Sequence, residues 1–319
     1  MVETTVAEQV ARSNEIAATI PKHKLNDGTH IPVFALGTFK METGSIYEVV
    51  KTAILKEGYR HIDCAKVYEN EEEVGRAIND CIAAGIKRED LYIVSKLWHT
   101  DKGRVAEAYD ECLKRLNLEY LDLWILHWTT LPDVDWTEKK IRSPPLYLIW
   151  KEMEKLVKTG KCKSIGVSNA TVHVLLDIIA GAEIKPVYNQ IETHPYYNNH
   201  KLIGVQHEFD VYTAGYATIG SGVFSAGQPA GPLHDPTIAE IAAKHGKTAA
   251  QVIFAWHHHH RTIILCQTSK VERLSENLKI FDFTLSEDEI KTIDGLDKPD
   301  GRRFDSSKWG GSFHNIAWN

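Results

Sequence analysis

Short apolar runs rich in β-branched residues alternate along this chain with segments in which apolar residues recur every three or four positions. The first kind predicts strands at PVFALG (32–37), HIDCA (61–65), LYIVSKL (91–97), LDLWILH (121–127), SIGVSN (164–169), PVYNQIE (186–192), VYTAGYA (211–217) and TIILC (262–266). The second predicts helices at stretches such as IYEVVKTAILKEG, EEEVGRAINDCIAAG, VAEAYDECLKRLNL, YLIWKEMEKLVKTG and VHVLLDIIAGA. Strict alternation implies a parallel sheet, and eight strands in a chain of 319 residues match an α/β fold of the (β/α)8 TIM-barrel type. An open doubly wound sheet is the competing arrangement. Its fingerprint, GxGxxG after the first strand, is absent, since the chain reads GTFKMETG there.

Ahead of the first barrel strand, HKLNDGTHIPV carries Asn26-Asp27-Gly28 between short extended segments. That is a β-hairpin signature, placed to plug the barrel floor. Residues 1–23 read as a flexible or loosely helical extension. Residues 24–319 read as a single barrel domain, ending in a Gly-, Ser- and Trp-rich tail over roughly 299–319.

Composition narrows the classes of function. A hydrophobic content of 43% supports one large core, and a net charge of −6 excludes non-specific nucleic-acid binding, which needs a clustered basic surface. Small molecules are the expected partners. The five cysteines are odd in number and lack CxxC pairs, which fits reduced thiols in a cytoplasmic protein. The first residues form no apolar signal core, and no run reaches the roughly 20 apolar residues of a membrane span.

In a barrel of this type the active site lies at the C-terminal ends of the strands, so the polar residues that end each strand are the informative ones. They are Thr38 and Lys40, then Asp63 and Tyr68, Lys96, His127, Ser168 and Asn169, Gln190 and Glu192, Tyr216, and finally Gln267 and Thr268. Each alone is more often a solvated or core group. Four acid–base groups on three consecutive strands are a different matter. Lys96 and Asp63 would be costly to bury unpaired and are expected to pair, beside Tyr68.

This set suits proton donation to a carbonyl. A free tyrosine titrates near pH 10, a neighbouring ammonium is expected to lower that value, and Asp63 keeps Lys96 charged. His127 can bond the same oxygen. No nucleophile or catalytic metal is apparent, so the attacking group must come from a cofactor, and hydride is the natural candidate.

At this point the chain resembles the aldo-keto reductases, from about Lys24 to Arg303. The likeness is carried by GTFK (37–40), GYRHIDCAKVYENEEEVGRAI (58–78), REDLYIVSKLW (88–98), LDLWILHW (121–128), SIGVSNA (164–170), PVYNQIETHPY (186–196) and ERLSENL (272–278). It is similar in flavour to the aldose, xylose and glycerol-type reductases that work as monomers, so a monomer or weak dimer is expected. The resemblance implies a catalytic tetrad of Tyr68, Asp63, Lys96 and His127, with Tyr68 as general acid. It also implies Ser168, Asn169 and Gln190 on a nicotinamide carboxamide and Tyr216 stacked on its ring. Thr38, Lys40, Ile219, Ser221, Gln267, Thr268, Arg273, Glu276 and Asn277 complete the expected cofactor contacts. Phe39, Trp98 and Trp128, with Trp309 or Phe313 of the tail, would wall an aromatic substrate pocket.

The chain departs from the family pattern at several points. Ala217-Thr218-Ile219 replaces Ser-Pro-Leu, Thr129 replaces a proline after His127-Trp128, and Cys266-Gln267-Thr268 replaces Pro-Lys-Ser. The last change removes the lysine that usually meets the adenosine 2′-phosphate. NADP(H) is still the expected cofactor, with NAD(H) possible. The run His257–His260 suits a helix C-terminus and is not read as a metal site. Glu71-Glu72-Glu73 is read as helix capping. Two other functions compete: a cofactor-binding regulatory barrel with little turnover, which the intact tetrad opposes, and a metal-dependent barrel hydrolase, for which only His127 is placed.

Overall fold

The computed structural model describes residues 5–41, 44–130, 133–135, 137–220, 231–298 and 301. Two short antiparallel strands, β1 (Lys22–Lys24) and β2 (His30–Pro32), form the hairpin expected around Asn-Asp-Gly. Eight parallel strands then close a barrel: β3 (Phe34–Gly37), β4 (His61–Asp63), β5 (Tyr92–Leu97), β6 (Leu121–Leu126), and, after a two-stranded ribbon of β7 (Val134–Asp135) and β8 (Lys140–Ile141), β9 (Cys162–Ser168), β10 (Tyr188–Glu192), β11 (Tyr212–Tyr216) and β12 (Ile263–Cys266). Each predicted strand is present, and β12 pairs with β3 to complete the ring, Ile264 beside Phe34. The ribbon was not anticipated from the sequence.

Side chains alternate along each strand, so every second residue enters the barrel. Ala35, Tyr92, Val94, Leu123, Ile125, Tyr188, Ala214, Ile263 and Leu265 fill the interior together with Leu25 and Ile31 of the hairpin segment. The hairpin therefore does plug one end. Asn26 Nδ2 donates to the carbonyls of Pro186 and Asp210, just ahead of β10 and β11. Continuing the same alternation one step upward puts Lys96 above Val94, His127 above Ile125, Gln190 above Tyr188 and Tyr216 above Ala214.

The outward strand faces pack under the helices α2 (Ile46–Leu55), α3 (Glu71–Ala83), α4 (Val105–Leu116), α5 (Leu146–Lys158) and α6 (Val172–Gly181) in one continuous apolar layer. Further round lie α7 (His200–Glu208), α8 (Pro236–His245), α9 (Ala249–His259), α10 (Glu272–Leu278) and α11 (Glu287–Asp294). Glu71 does more than open α3. It is buried, bonds the Ser95 hydroxyl at 2.5 Å and pairs with Arg115 at 2.7 Å.

The N-terminal stretch, expected to be flexible or loosely helical, is a better ordered helix than that. Val6–Thr19 is a regular helix, α1, opened by a capping box between Thr5 and Glu8. The reason lies elsewhere in the chain. Arg60 is buried and donates to Ser13 Oγ at 3.0 Å and to Asn14 Oδ1 at 2.7 Å, while Ser13 Oγ donates to the Ile54 carbonyl at 2.5 Å. The helix also sits directly on Gly58, where a Cβ would meet Ile16 at 2.7 Å and where φ is +76°. Only glycine accommodates both demands.

Candidate active site

The four candidate acid–base residues converge at the C-terminal mouth of the barrel. Lys96 Nζ, fully buried, donates to Asp63 Oδ1 at 2.5 Å, to the Cys64 carbonyl at 2.6 Å and to Tyr68 Oη at 3.1 Å. Tyr68 is carried by the short turn after β4 and is half-buried, with its ring 5.9 Å from that of His127 at 85°. The expected Lys–Asp pair is therefore present and touches the tyrosine.

The electrostatics differ from the simple expectation for Tyr68. Burial pushes its phenol up to about 12, with Lys96 opposing and Asp63 reinforcing the rise. A lowered value was expected from Lys96 alone, but desolvation of the phenolate outweighs the ammonium. Burial also pulls Lys96 down, yet the attraction of Asp63 and the phenol leave it above the ordinary lysine value. His127 is held well below its ordinary value by burial, and the charges of Lys96 and His99 add to that. At neutral pH the mouth thus holds a protonated phenol, an ammonium and a neutral imidazole.

The amide and hydroxyl groups expected around the nicotinamide also come together. Ser168 Oγ donates to the Gln190 carbonyl at 2.8 Å, and Asn169 Nδ2 donates to the His127 carbonyl at 3.0 Å and Ser168 Oγ at 3.1 Å. Tyr216 Oη donates to Asn169 Oδ1 at 2.9 Å, and Asn169 adopts φ +57° to make these bonds. Gln190 has a second task that the sequence did not reveal. Its Nε2 donates to Asp63 Oδ2 at 2.8 Å, so both oxygens of that carboxylate are held.

Other candidates are placed less directly. Thr38 is buried, and its hydroxyl and N–H both bond the Asp63 carbonyl at 3.0 Å, so it braces β4. Asn70, unmarked by the sequence reading, in turn donates to the Thr38 carbonyl at 2.9 Å. Lys40 is exposed at φ +54°, with its ammonium 5.7 Å from the Phe39 ring centroid. Phe39 lies 5.0 Å from Tyr68 and Trp98 lies 5.1 Å from His127, which gives an aromatic wall on each side of the acid–base pair. Trp128 is buried. Thr129, where the family pattern has proline, donates through Oγ1 to the Asn169 carbonyl at 3.0 Å.

The turn after β12 is different in kind. Gln267 and Lys270 on it are exposed, Thr268 is buried and accepts from the Lys270 N–H at 3.1 Å, and on α10, which follows, Arg273 is exposed and Glu276 half-buried. Asn277 faces inward, its amide 3.2 Å from Cys266 Sγ, so its side chain holds the turn to the strand. Ile219 packs partly against the core. Ser221, Trp309 and Phe313 lie outside the described residues.

A closed parallel barrel whose strand ends bring a lysine, a carboxylate, a tyrosine and a histidine together has the layout of a barrel enzyme. Comparison with known proteins makes the class specific. The family model described as Aldo/keto reductase family matches residues 34–298. "Aldose reductase B" of Dictyostelium discoideum is 39% identical over 292 residues, covering 86% of this chain and 91% of that protein. "Glyoxal reductase" of Bacillus subtilis is 40% identical over 278 residues, covering 86% and 92%. Among solved structures, a Bombyx mori aldo-keto reductase in complex with NADP superposes with a TM-score of 0.83 at 31% identity, covering 91% of this chain and 96% of that one. The chain belongs to the aldo/keto reductase family and is an oxidoreductase.

Proposed function

We propose that this protein reduces aldehyde or ketone carbonyls, in aldoses or small aldehydes, to alcohols, using NADP(H) in preference to NAD(H), with Tyr68 as proton donor. The observation that carries the reading is the Lys96 ammonium, bonded at once to Asp63 at 2.5 Å and to Tyr68 Oη at 3.1 Å. A hydride is what a nicotinamide cofactor would supply to the carbonyl carbon.

The donor set fits such a group. Ser168, Asn169 and Gln190 offer a hydroxyl and two amides within one bonded patch, and Gln190 Oε1 is an acceptor for a carboxamide N–H while its Nε2 is engaged by Asp63. Tyr216, tied to Asn169, offers a ring face beside them. Relatives support the cofactor: "NAD(P)H-dependent D-xylose reductase I,II" of Candida tropicalis is 37% identical, covering 88% of this chain and 93% of that protein.

The protein's own part in the reaction follows from charge. Tyr68 keeps its proton at neutral pH and delivers it as negative charge grows on the substrate oxygen, because an alkoxide is a far stronger base than a phenolate. Lys96 then faces the new phenolate and offsets its burial, and Asp63 keeps Lys96 charged. His127, neutral, can donate an N–H to the same oxygen. Phe39 and Trp98 limit water around the reacting carbon.

The test is NADPH oxidation with a small panel of aldehydes in wild type and Tyr68→Phe. Turnover should fall by about 10²–10⁴ in the variant, with cofactor affinity and Tm little changed. Retention of most activity would remove Tyr68 from the role. Wild-type protein that binds NADPH tightly yet reduces none of the panel would instead support a regulatory barrel with little turnover.

A further inference from the structure

The histidine run that ends α9 has partners far away in sequence. His260 follows the last residue of α9, His200 opens α7, and Asp294 closes α11. His260 Nε2 lies 2.9 Å from Asp294 Oδ1, and His200 Nε2 lies 3.6 Å from the same oxygen. The two imidazole centroids are 4.9 Å apart, and one ligand atom from each of the three residues lies within 4.8 Å of the others. Bonds of about 2.0–2.1 Å to a tetrahedral ion separate neighbouring ligand atoms by roughly 3.4 Å. The two separations on Asp294 Oδ1, 2.9 and 3.6 Å, bracket that spacing, and the third, between the two imidazole nitrogens, is within 4.8 Å.

An ordinary hydrogen-bonded cluster accounts for part of this arrangement. Asp294 Oδ1 accepts from Trp256 Nε1 at 2.7 Å as well as facing His260. It does not account for His200, whose Nε2 is shut off from solvent and makes no hydrogen bond. An ion between the three would engage that nitrogen. The indole N–H on Asp294 is then the kind of outer contact that orients a ligating carboxylate.

We propose that His200, His260 and Asp294 form a site for a divalent transition-metal ion of the Zn2+ type, with water as fourth ligand, acting as a structural clip. Two imidazoles and one carboxylate suit a borderline ion and are a poor set for Ca2+ or Mg2+. The clip would extend a seam already present. Asn198, just ahead of α7, bonds Asp297 Oδ1 at 3.0 Å and the Asp294 carbonyl at 3.4 Å, and the Lys298 N–H bonds the Tyr196 carbonyl at 3.1 Å. None of the three ligands belongs to the acid–base group at the barrel mouth, so the ion is no part of the proposed reduction.

The experiment uses the full chain freed of metal with EDTA and titrated with Zn2+ against a chromophoric chelator, with Co2+ as a spectroscopic probe. One equivalent should bind, Co2+ should show the intense visible bands of a four-coordinate site, and Zn2+ but not Mg2+ or Ca2+ should raise Tm. His200→Ala and Asp294→Asn should each weaken Zn2+ by at least about tenfold, the lower end of losses seen for mere outer-shell changes. Asp294→Asn keeps an acceptor for Trp256, and His200 is half-buried against Trp256 and His260, so the metal-free Tm of each variant is measured first and Zn2+ affinity is compared at a temperature where both remain folded. Exposed His259→Ala should leave binding intact. Absence of stoichiometric binding overturns the proposal. So does binding that survives both ligand variants and disappears with His259→Ala, since the run of adjacent histidines alone would then be responsible.

Discussion

At the barrel mouth Asp63, Lys96, Ser168 and Gln190 are each at most 3% exposed and are bonded to one another or to neighbouring strands. On the turn after β12 and the first turn of α10, Gln267, Lys270 and Arg273 are exposed. Both regions are candidates to contact one cofactor, yet they are built on opposite principles. The mouth fixes charges in a dry setting where they need no rearrangement when a proton moves. The turn reads charge with long exposed side chains, whose contributions are modest, graded and replaceable. Substitution at the mouth should therefore be close to all-or-none, and substitution at the turn should re-weight preference.

The largest effect is expected at the mouth. Asp63→Asn leaves Lys96 buried without its counter-charge, which should cost roughly 3–5 kcal/mol of stability and abolish turnover. Urea unfolding measures the first and aldehyde reduction the second. An unchanged midpoint would show that the mouth is no more tightly coupled than the turn.

Acid should sharpen the contrast next. Burial pulls His61 down to about 4 and His257 to about 3 from an ordinary value of 6.5, against the opposing bonds to the carbonyls of Pro32 and Thr218. Both are neutral in the fold and charged once unfolded below pH 6.5, so the unfolded chain binds more protons and stability falls as pH drops. Between pH 7 and 5 each should remove on the order of 2 kcal/mol. A urea midpoint that stays flat across that window would mean these histidines are not held neutral.

The smallest effect belongs to the turn. Gln267→Lys should tighten NADPH over NADH by about ten- to a hundredfold, the equivalent of one charge-assisted hydrogen bond of roughly 1.5–3 kcal/mol. Equal tightening of both cofactors would mean that this side chain does not sense the 2′-phosphate.

The sequence disclosed what depends on local pattern. Strand periodicity located all eight barrel strands, and the row Tyr92, Val94, Lys96 put the lysine inside because alternate residues share a face. What depends on distant pairing stayed hidden. Nothing near Gln190 announces its bond to Asp63, and nothing in residues 6–19 announces the buried Arg60 that holds them. Thr38, expected as a strand-end cofactor contact, also donates to the Asp63 carbonyl, a bond that nothing near it announces. The raised Tyr68 phenol escaped for a related reason: proximity to Lys96 can be guessed from spacing, whereas the desolvation of the phenol by its packed neighbours cannot.

The seating of α1 bears on the order in which the chain can fold. Its contacts with Ile54 and Arg60 close loops of 41 and 47 residues, and all of those residues have been made by the time Arg60 has. The ring itself waits for β12 to meet β3, Ile264 beside Phe34. Local contacts form faster than distant ones because the loop they close is shorter. A growing chain can thus clasp α1 long before its barrel has a last stave, and that helix is a partner available early to a wall that closes late.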